Sequence, residues 1–264
     1  MKYKLMAVDI DGTLLNSRNE LTWKTKFAIR QAVERGLIFT ICTGRSIQGV
    51  QPIIKELGID LPFITYNGAM IVMGKSREIL YEKKLSPEDS IAIIDLGLKF
   101  DTTVVAWVDN KLFVNKLNER AESYSKLNNT PAVQFTDPRE IIEDGATKIL
   151  WYDTAENINR FEKEMEEYLG DTVNFHTSQP VFLEFVNKEA TKANAMEALG
   201  RYFNVTREEM IAVGDGYNDI SMLCYAGLGV AMGNAPEEVK KIAGYVTCSN
   251  DNDGVAHVIY KYYL

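Results

Sequence analysis

Residues 4–15 read KLMAVDIDGTLL. An apolar run from Leu5 to Val8 ends on two aspartates one residue apart, Asp9 and Asp11, with Gly12 directly after them. A short apolar run closed by a glycine turn reads as a strand buried on both faces. Carboxylates at the mouth of such a strand are costly unless something uses them. The segments around this stretch decide the fold. "TWKTKFAIRQAVERG" (22–36) has Thr22 as a cap, a helical apolar repeat and Gly36 as its stop. "LIFTICTG" (37–44) is a second buried strand, and "SIQGVQPIIKELG" (46–58) puts Val50, Ile53, Ile54 and Leu57 on one helical face. "PFITYNG" (62–68) is a third strand. Strand and helix in alternation imply parallel pairing through right-handed crossovers.

From about Ala69 the rhythm changes. "AMIVMGKSREILYEKKL" (69–85) and "TTVVAWVDNKLFVN" (102–115) read as hairpins, the second turning at Asp109-Asn110. Between them Ser86 caps a helix, with Pro87 in its first turn and Asp89 completing a capping-box pattern. A short helix near Glu119, the strand "TKILWYD" (147–153), a helix near Ala155 to Leu169 and the strands "VNFHTS" (173–178) and "FLEFVN" (182–187) follow. Past Asn187 the first rhythm resumes, through helices at 191–203, 218–227, 235–244 and 255–263 and strands at 210–215, 228–233 and 245–248. The simplest architecture is an α/β protein with a Rossmann-like parallel-sheet core, residues 1–82 and 186–264, and an inserted α+β module, residues 83–185.

Bulk properties agree with a globular chain. Its 264 residues are 46% hydrophobic and 25% charged, enough to bury a core without disulfides or structural metal. The net charge of −8 and the lack of a basic stripe give no sign of a nucleic-acid partner. No run approaches the roughly 18 apolar residues of a membrane helix, so no membrane partner is expected. Cys42, Cys224 and Cys248 are odd in number and far apart, which favours reduced thiols and a cytoplasmic location. The N-terminus has two lysines and a short apolar stretch, but the acidic pair follows too soon for a signal peptide.

Ligands of open α/β sheets bind beyond the carboxyl ends of the strands. Asp9 and Asp11 end the first strand and Thr43-Gly44-Arg45 the second; Asp215 ends "MIAVGD", with Asn218 and Asp219 just behind, and Lys192 opens the helix after the inserted module. This order resembles the haloacid dehalogenase superfamily of phosphotransferases. The family pattern of DxDGT, a Ser/Thr at a strand end, Lys and GDxxND stands here as "DIDGT" (9–13), Thr43, Lys192 and "GDGYND" (214–219). The large insertion after the third strand, "YNGA" (66–69) and "DGVA" (253–256) are similar to the Cof-like branch, subfamily IIB, although Ala193 stands where relatives often carry Gly. The resemblance implies a phosphatase of small phosphorylated metabolites, sugar phosphates first, with the module as a cap that sets specificity. It also implies roles. Asp9 attacks phosphorus and binds the metal. Asp11 lends its backbone carbonyl to the metal and its side chain to acid–base work. Asp215 is a direct metal ligand, while Asp219 holds metal-bound water. Thr43, Lys192, Asn218 and the amides of Ile10 and Gly44 cradle the phosphoryl oxygens. Like charges about 4 Å apart repel by about 4 kcal/mol at an effective dielectric near 20, so carboxylates meeting a phosphate need a cation. An all-oxygen ligand set favours Mg²⁺. A phosphomutase of related fold and a non-enzymatic phosphometabolite sensor are the rival readings.

Several residues stay open. Arg45 reads equally as a substrate contact or an ion-pair partner, and Asn67 as cleft lining or turn residue. Glu184, within an apolar strand, reads as strand alternation or as a functional group. "SNDNDG" (249–254) is a loop and helix cap. An EF-hand reading of Asp9-x-Asp11 fails because Leu14 stands where the loop needs glycine. His176 and His257 lack ligand-like spacing and receive no catalytic role.

Overall fold

The computed structural model describes residues 2–168 and 171–264. Strand β1 (Leu5–Val8) is buried at every position and leads into a wide turn, in which the amides of Leu14 and Leu15 donate to the carbonyls of Asp9 and Ile10, five residues back. Then come α1 (Trp23–Glu34), β2 (Ile38–Cys42), α2 (Ile47–Leu57), β3 (Phe63–Thr65), β4 (Met70–Val72) and β5 (Ile79–Glu82). Helix α1 begins as its sequence implies: Thr22 Oγ1 accepts from Thr25 N at 3.2 Å. Gly36 and Gly58 follow α1 and α2 with φ of 94° and 68°, the left-handed backbone that glycine adopts without strain.

The middle of the chain contains α3 (Pro87–Lys99), β6 (Thr103–Val108), β7 (Lys111–Val114), α4 (Glu119–Leu127), β8 (Ala132–Gln134), β9 (Lys148–Tyr152), α5 (Ala155–Tyr168), β10 (Val173–Gln179) and β11 (Phe182–Asn187). Leu169, to which the pattern of α5 extends, lies outside the described residues. Asp109 and Asn110 both have positive φ, 47° and 59°, which suits the two-residue turn joining β6 to β7. Ser86 caps α3 by accepting from Asp89 N at 3.0 Å. The Asp89 carboxylate does not complete a capping box; it accepts from Thr172 Oγ1 at 3.0 Å. The last part holds α6 (Lys192–Phe203), β12 (Met210–Gly214), α7 (Ile220–Tyr225), β13 (Leu228–Ala231), α8 (Glu237–Ile242), β14 (Tyr245–Val246) and α9 (Gly254–Tyr262).

Residues up to Gly44, Val50–Tyr81 and Thr191–Leu264 form one compact unit; Arg45–Gly49 and Glu82–Ala190 form a second. The second unit thus starts one residue before, and ends five after, the 83–185 module read from sequence, and it includes 45–49 as well. In the first, the sheet order is β14-β13-β12-β1-β2-β3-β4-β5. The strands from β14 to β3 run parallel and β4 is antiparallel to β3. β1 is flanked by β12 and β2, with Val8 opposite Val213 and Ile41, so three strand ends open side by side. Leu5, Ala7, Cys42, Ile64, Met196, Leu199 and Ala212 form the core on one face. The alternate residues Met6, Val8, Phe39 and Ile41 are equally buried, which explains the unbroken apolar runs.

The second unit has the sheet order β10-β11-β9-β6-β7-β8, antiparallel except for the β7–β8 pair. One face, with Val104, Ala106, Ile149, Trp151, Leu183 and Phe185, packs on Ile93 and Ile94 of α3 and on Ile158, Phe161 and Met165 of α5. Glu184 is buried and paired: Lys148 Nζ lies 3.1 Å from its Oε1, which also accepts from Ser178 Oγ at 3.0 Å. Burial acts to raise the Glu184 carboxyl, but the Lys148 charge prevails and holds it below its ordinary range. Arg45 Nη1 donates to the carbonyl of Gly49 at 3.4 Å. Among the described residues, no helix is long and apolar enough to cross a membrane.

Candidate active site

Because β1 and β12 are neighbours in register, Asp9 and Asp215 leave the sheet side by side. Their carboxylates, with that of Asp219, offer oxygens that all lie within 4.8 Å of one another. Helix α6 brings in the cation. Its start is fixed by Thr191, whose hydroxyl accepts from Asn194 N at 3.1 Å. Lys192, 1% exposed, donates from Nζ to Asp9 Oδ1 at 2.7 Å and to Asp219 Oδ1 at 2.6 Å. The other oxygen of Asp219 accepts from the amides of Asp215 and Gly216 at 2.9 and 2.8 Å. Asp219 therefore ties the lysine to the loop after β12. Losing one partner of a buried ion pair costs on the order of 3–5 kcal/mol, so this brace holds the site's geometry firmly.

The turn after Asp9 closes the other side. Thr13 Oγ1 donates to Asp215 Oδ1 at 2.7 Å, and Asn234 Nδ2 donates to the Gly12 carbonyl at 2.8 Å and toward Asp215 Oδ2 at 3.4 Å. Gly12 has φ of 81°, and a Cβ there would lie 2.3 Å from Asp215 Oδ2. Glycine is required both by its backbone and by the approach of this carboxylate. Asp11, two residues past Asp9, stands at the exposed lip, while the Ile10 side chain points into the core.

The remaining residues singled out from sequence meet through Asn67. Thr43, buried at the end of β2, accepts at its carbonyl from Asn67 N at 3.0 Å, and Asn218 Nδ2 donates to Asn67 Oδ1 at 3.1 Å. Gly44 lies against the same amide, since a Cβ there would come 2.9 Å from Asn67 Oδ1. Asn67 joins Asp9, Asp215, Asp219, Lys192, Thr43, Gly44 and Asn218 in one place. Thr13 and Asn234 had received no role from sequence. Thr13 lies inside the opening motif, and Asn234 follows β13 at another strand end, as the other polar residues of the site follow theirs. Neither His176 nor His257 belongs to the site: His176 pairs across from Glu184 in the second unit, and His257 Nε2 lies 3.1 Å from the Tyr245 hydroxyl.

The charges here are out of balance. Burial, with the neighbouring Asp219 and Asp215, pushes Asp9 up to about 7 despite the downward pull of Lys192. Burial, with Asp219 nearby, raises Asp215 to about 6 against the Thr13 hydrogen bond. Burial works to lower Lys192, but Asp219 and Asp9 outweigh it and hold the ammonium firmly charged. One lysine thus serves three carboxylates, and two of these resist ionisation. A hard divalent cation with all-oxygen ligands fits that surplus.

The family model for haloacid dehalogenase-like hydrolases matches residues 6–259. The chain is 34% identical over 267 residues to the 5-amino-6-(5-phospho-D-ribitylamino)uracil phosphatase YcsE of Bacillus subtilis, covering 99% of this chain and 96% of that protein. The crystal structure of TM0651 from Thermotoga maritima superposes with a TM-score of 0.89 at 30% identity, covering 99% of this chain and 98% of that one. The subclass IIB sugar phosphatase BT4131 does so with a TM-score of 0.82 at 29% identity, covering 98% of each. With its strand order, its four polar clusters and these likenesses over nearly its whole length, the chain belongs to the haloacid dehalogenase-like hydrolase family.

Proposed function

We propose that this protein is a cytoplasmic, Mg²⁺-dependent phosphatase of small phosphate monoesters, with sugar phosphates as its leading substrates and Asp9 as the residue that is transiently phosphorylated. The carrying observation is the buried Asp9 carboxylate, fixed at one oxygen by Lys192 and set beside Asp215. The free thiols of Cys42, Cys224 and Cys248 suit a reducing compartment. The sugar-phosphate class is supported by the likeness to a subclass IIB sugar phosphatase. Selectivity among esters we assign to the second unit.

Lys192 anchors Asp9 Oδ1 and so presents Oδ2 for in-line attack on phosphorus. A bond forms from Asp9 to phosphorus as the bond from phosphorus to the substrate's ester oxygen breaks. Asp11, exposed at the lip, gives its proton to the departing alkoxide. It then takes one from the water that attacks the aspartyl-phosphate, which returns the Asp9 carboxylate and releases inorganic phosphate. The residues that would hold Mg²⁺ are Asp9, the Asp11 backbone carbonyl and Asp215, with Asp219, whose oxygens already accept from Lys192 and two amides, acting through bound water. Bound there, the ion would neutralise charge between the carboxylates and the phosphoryl group. Thr43, Asn218, Lys192 and the amides of Ile10 and Gly44 meet the phosphoryl oxygens, a preorganised set of donors.

The test is inorganic phosphate release from the purified protein with Mg²⁺, across sugar phosphates, nucleotides and cofactor phosphates. Sugar phosphates are expected to give the highest kcat/KM. Formation of an isomeric sugar phosphate without net phosphate release would make the protein a mutase. Binding without any turnover would make it a sensor.

A further inference from the structure

The turn Tyr66–Gly68 lies outside the four polar clusters, yet it touches three of them. Tyr66 and Asn67 both have left-handed backbones, with φ of 51° and 56°, a conformation that is uncommon for a residue as bulky as tyrosine. The surroundings are specific. Asn67 N donates to the Thr43 carbonyl at 3.0 Å, Asn67 Oδ1 accepts from Asn218 Nδ2 at 3.1 Å, and the amide plane lies against Gly44. Gly68, with φ of 103°, presses on the start of α6: a Cβ there would sit 2.2 Å from the Thr191 carbonyl oxygen and 2.8 Å from Lys192 N. One three-residue turn therefore abuts the loop after β2, the lysine helix and the loop after β12.

We propose that Asn67 is a positioning residue for phosphoryl binding. Its Oδ1 takes one hydrogen of the Asn218 amide and so aims the other at the phosphoryl oxygens. This rests on the proposed phosphatase chemistry only for the identity of the bound group. The side chain that does this is polar, half-buried and directed at Asn218, which is exposed, so without this acceptor water would take its place and the Asn218 amide would lose its fixed orientation.

The experiment is a double-mutant cycle in the full chain with Mg²⁺, using Asn67→Gly, Asn218→Ala and their combination. Glycine keeps the left-handed backbone and removes only the side chain. The readouts are the affinity for inorganic phosphate by calorimetry, kcat and KM for the best ester, and Tm. Loss of the shared hydrogen bond is expected to weaken phosphate affinity and raise KM about tenfold in each single variant. The combined variant should be no more than about threefold worse than Asn218→Ala, because Asn67 acts through the Asn218 amide that this change already removes. Asn67→Gly should melt within about 5 °C of the parent. A merely structural role would lower Tm and the active fraction, hence kcat, and leave KM and phosphate affinity unchanged. Wild-type affinity in Asn67→Gly, or losses that multiply in the combined variant, would overturn the proposal. Should Asn67→Gly fail to fold, Asn67→Asp keeps the acceptor and tolerates the backbone. Asn218→Ala must then cost as much in that background as in the parent, and a smaller cost would refute the role. A parent that binds phosphate but hydrolyses no ester would remove the phosphatase reading and leave the cycle able to decide on Asn67.

Discussion

Asp9→Asn is expected to fold and to lose turnover by about 10⁴-fold or more, the scale seen when a nucleophile is removed from a concerted catalytic set. The amide has nearly the shape of the carboxylate, so the substitution tests chemistry rather than packing. Asp9 accounts for only one of the two contacts of Lys192; the other, to Asp219 at 2.6 Å, stays in place. The variant also loses a buried carboxyl that resists ionisation. Its stability in chelator at about pH 8 should therefore equal or exceed that of the parent. Circular dichroism and Tm establish the fold, and phosphate release establishes the loss. A folded Asp9→Asn protein within tenfold of the parent rate would remove Asp9 from the chemistry.

Removing divalent metal is expected to cost about 10²-fold or more in activity, with recovery on adding Mg²⁺. The same treatment should expose a pH-dependent weakness. Asp9 rises from 3.8 to about 7 and Asp215 from 3.8 to about 6 on folding. The folded chain thus binds protons more tightly than the unfolded chain at both groups. Their contribution to stability is complete below about pH 4 and disappears as pH rises through 6 and 7. Glu184 and Asp153 are held low and act in the opposite sense, but that loss falls below about pH 4.5. In chelator, Tm should therefore fall by at least about 5 °C between about pH 5 and pH 8, and Mg²⁺ should restore more of it at the higher pH. A metal-free Tm that climbs over this range, or full activity in chelator, would contradict the charge imbalance at the site.

What was legible in the sequence follows from how local each signal is. The strands β1, β2, β3 and β12 announce themselves because both faces are buried and their apolar runs are unbroken. The caps at Thr22 and Ser86 lie within three residues of the amides they serve. Strand β8 gave no such signal: it is three residues long, and Val133 at its centre is exposed. The partner of Glu184 was hidden for another reason. Lys148 lies on β9, and only the order β11-β9 brings the two together. The extension of the second unit to Arg45–Gly49 has no local mark either.

At the site, a strand-end rule was enough to gather Asp9, Thr43, Asp215 and Asp219, because parallel strands deliver their carboxyl ends to one edge. Thr13 could not be assigned that way, and for Asn67 and Asn234 a place just past a strand end does not by itself name a partner. Each acts through a single hydrogen-bonding side chain on a turn, and its partner lies far off in sequence: Thr13 and Asp215 are 202 residues apart, Asn67 and Asn218 are 151 apart. Turn residues such as asparagine are common for backbone reasons alone, so their type carries little information about a distant partner.

The central claim is that phosphorus is carried for a moment on Asp9, and it can be observed by acid-quenching the working enzyme with its best ester and mapping the peptides by mass spectrometry. The account predicts one added phosphoryl group on the peptide containing Asp9, localised to that residue and missing from Asp9→Asn. Rapid turnover with no phosphorylated peptide, or with the group on Asp11 or Asp219, would contradict it.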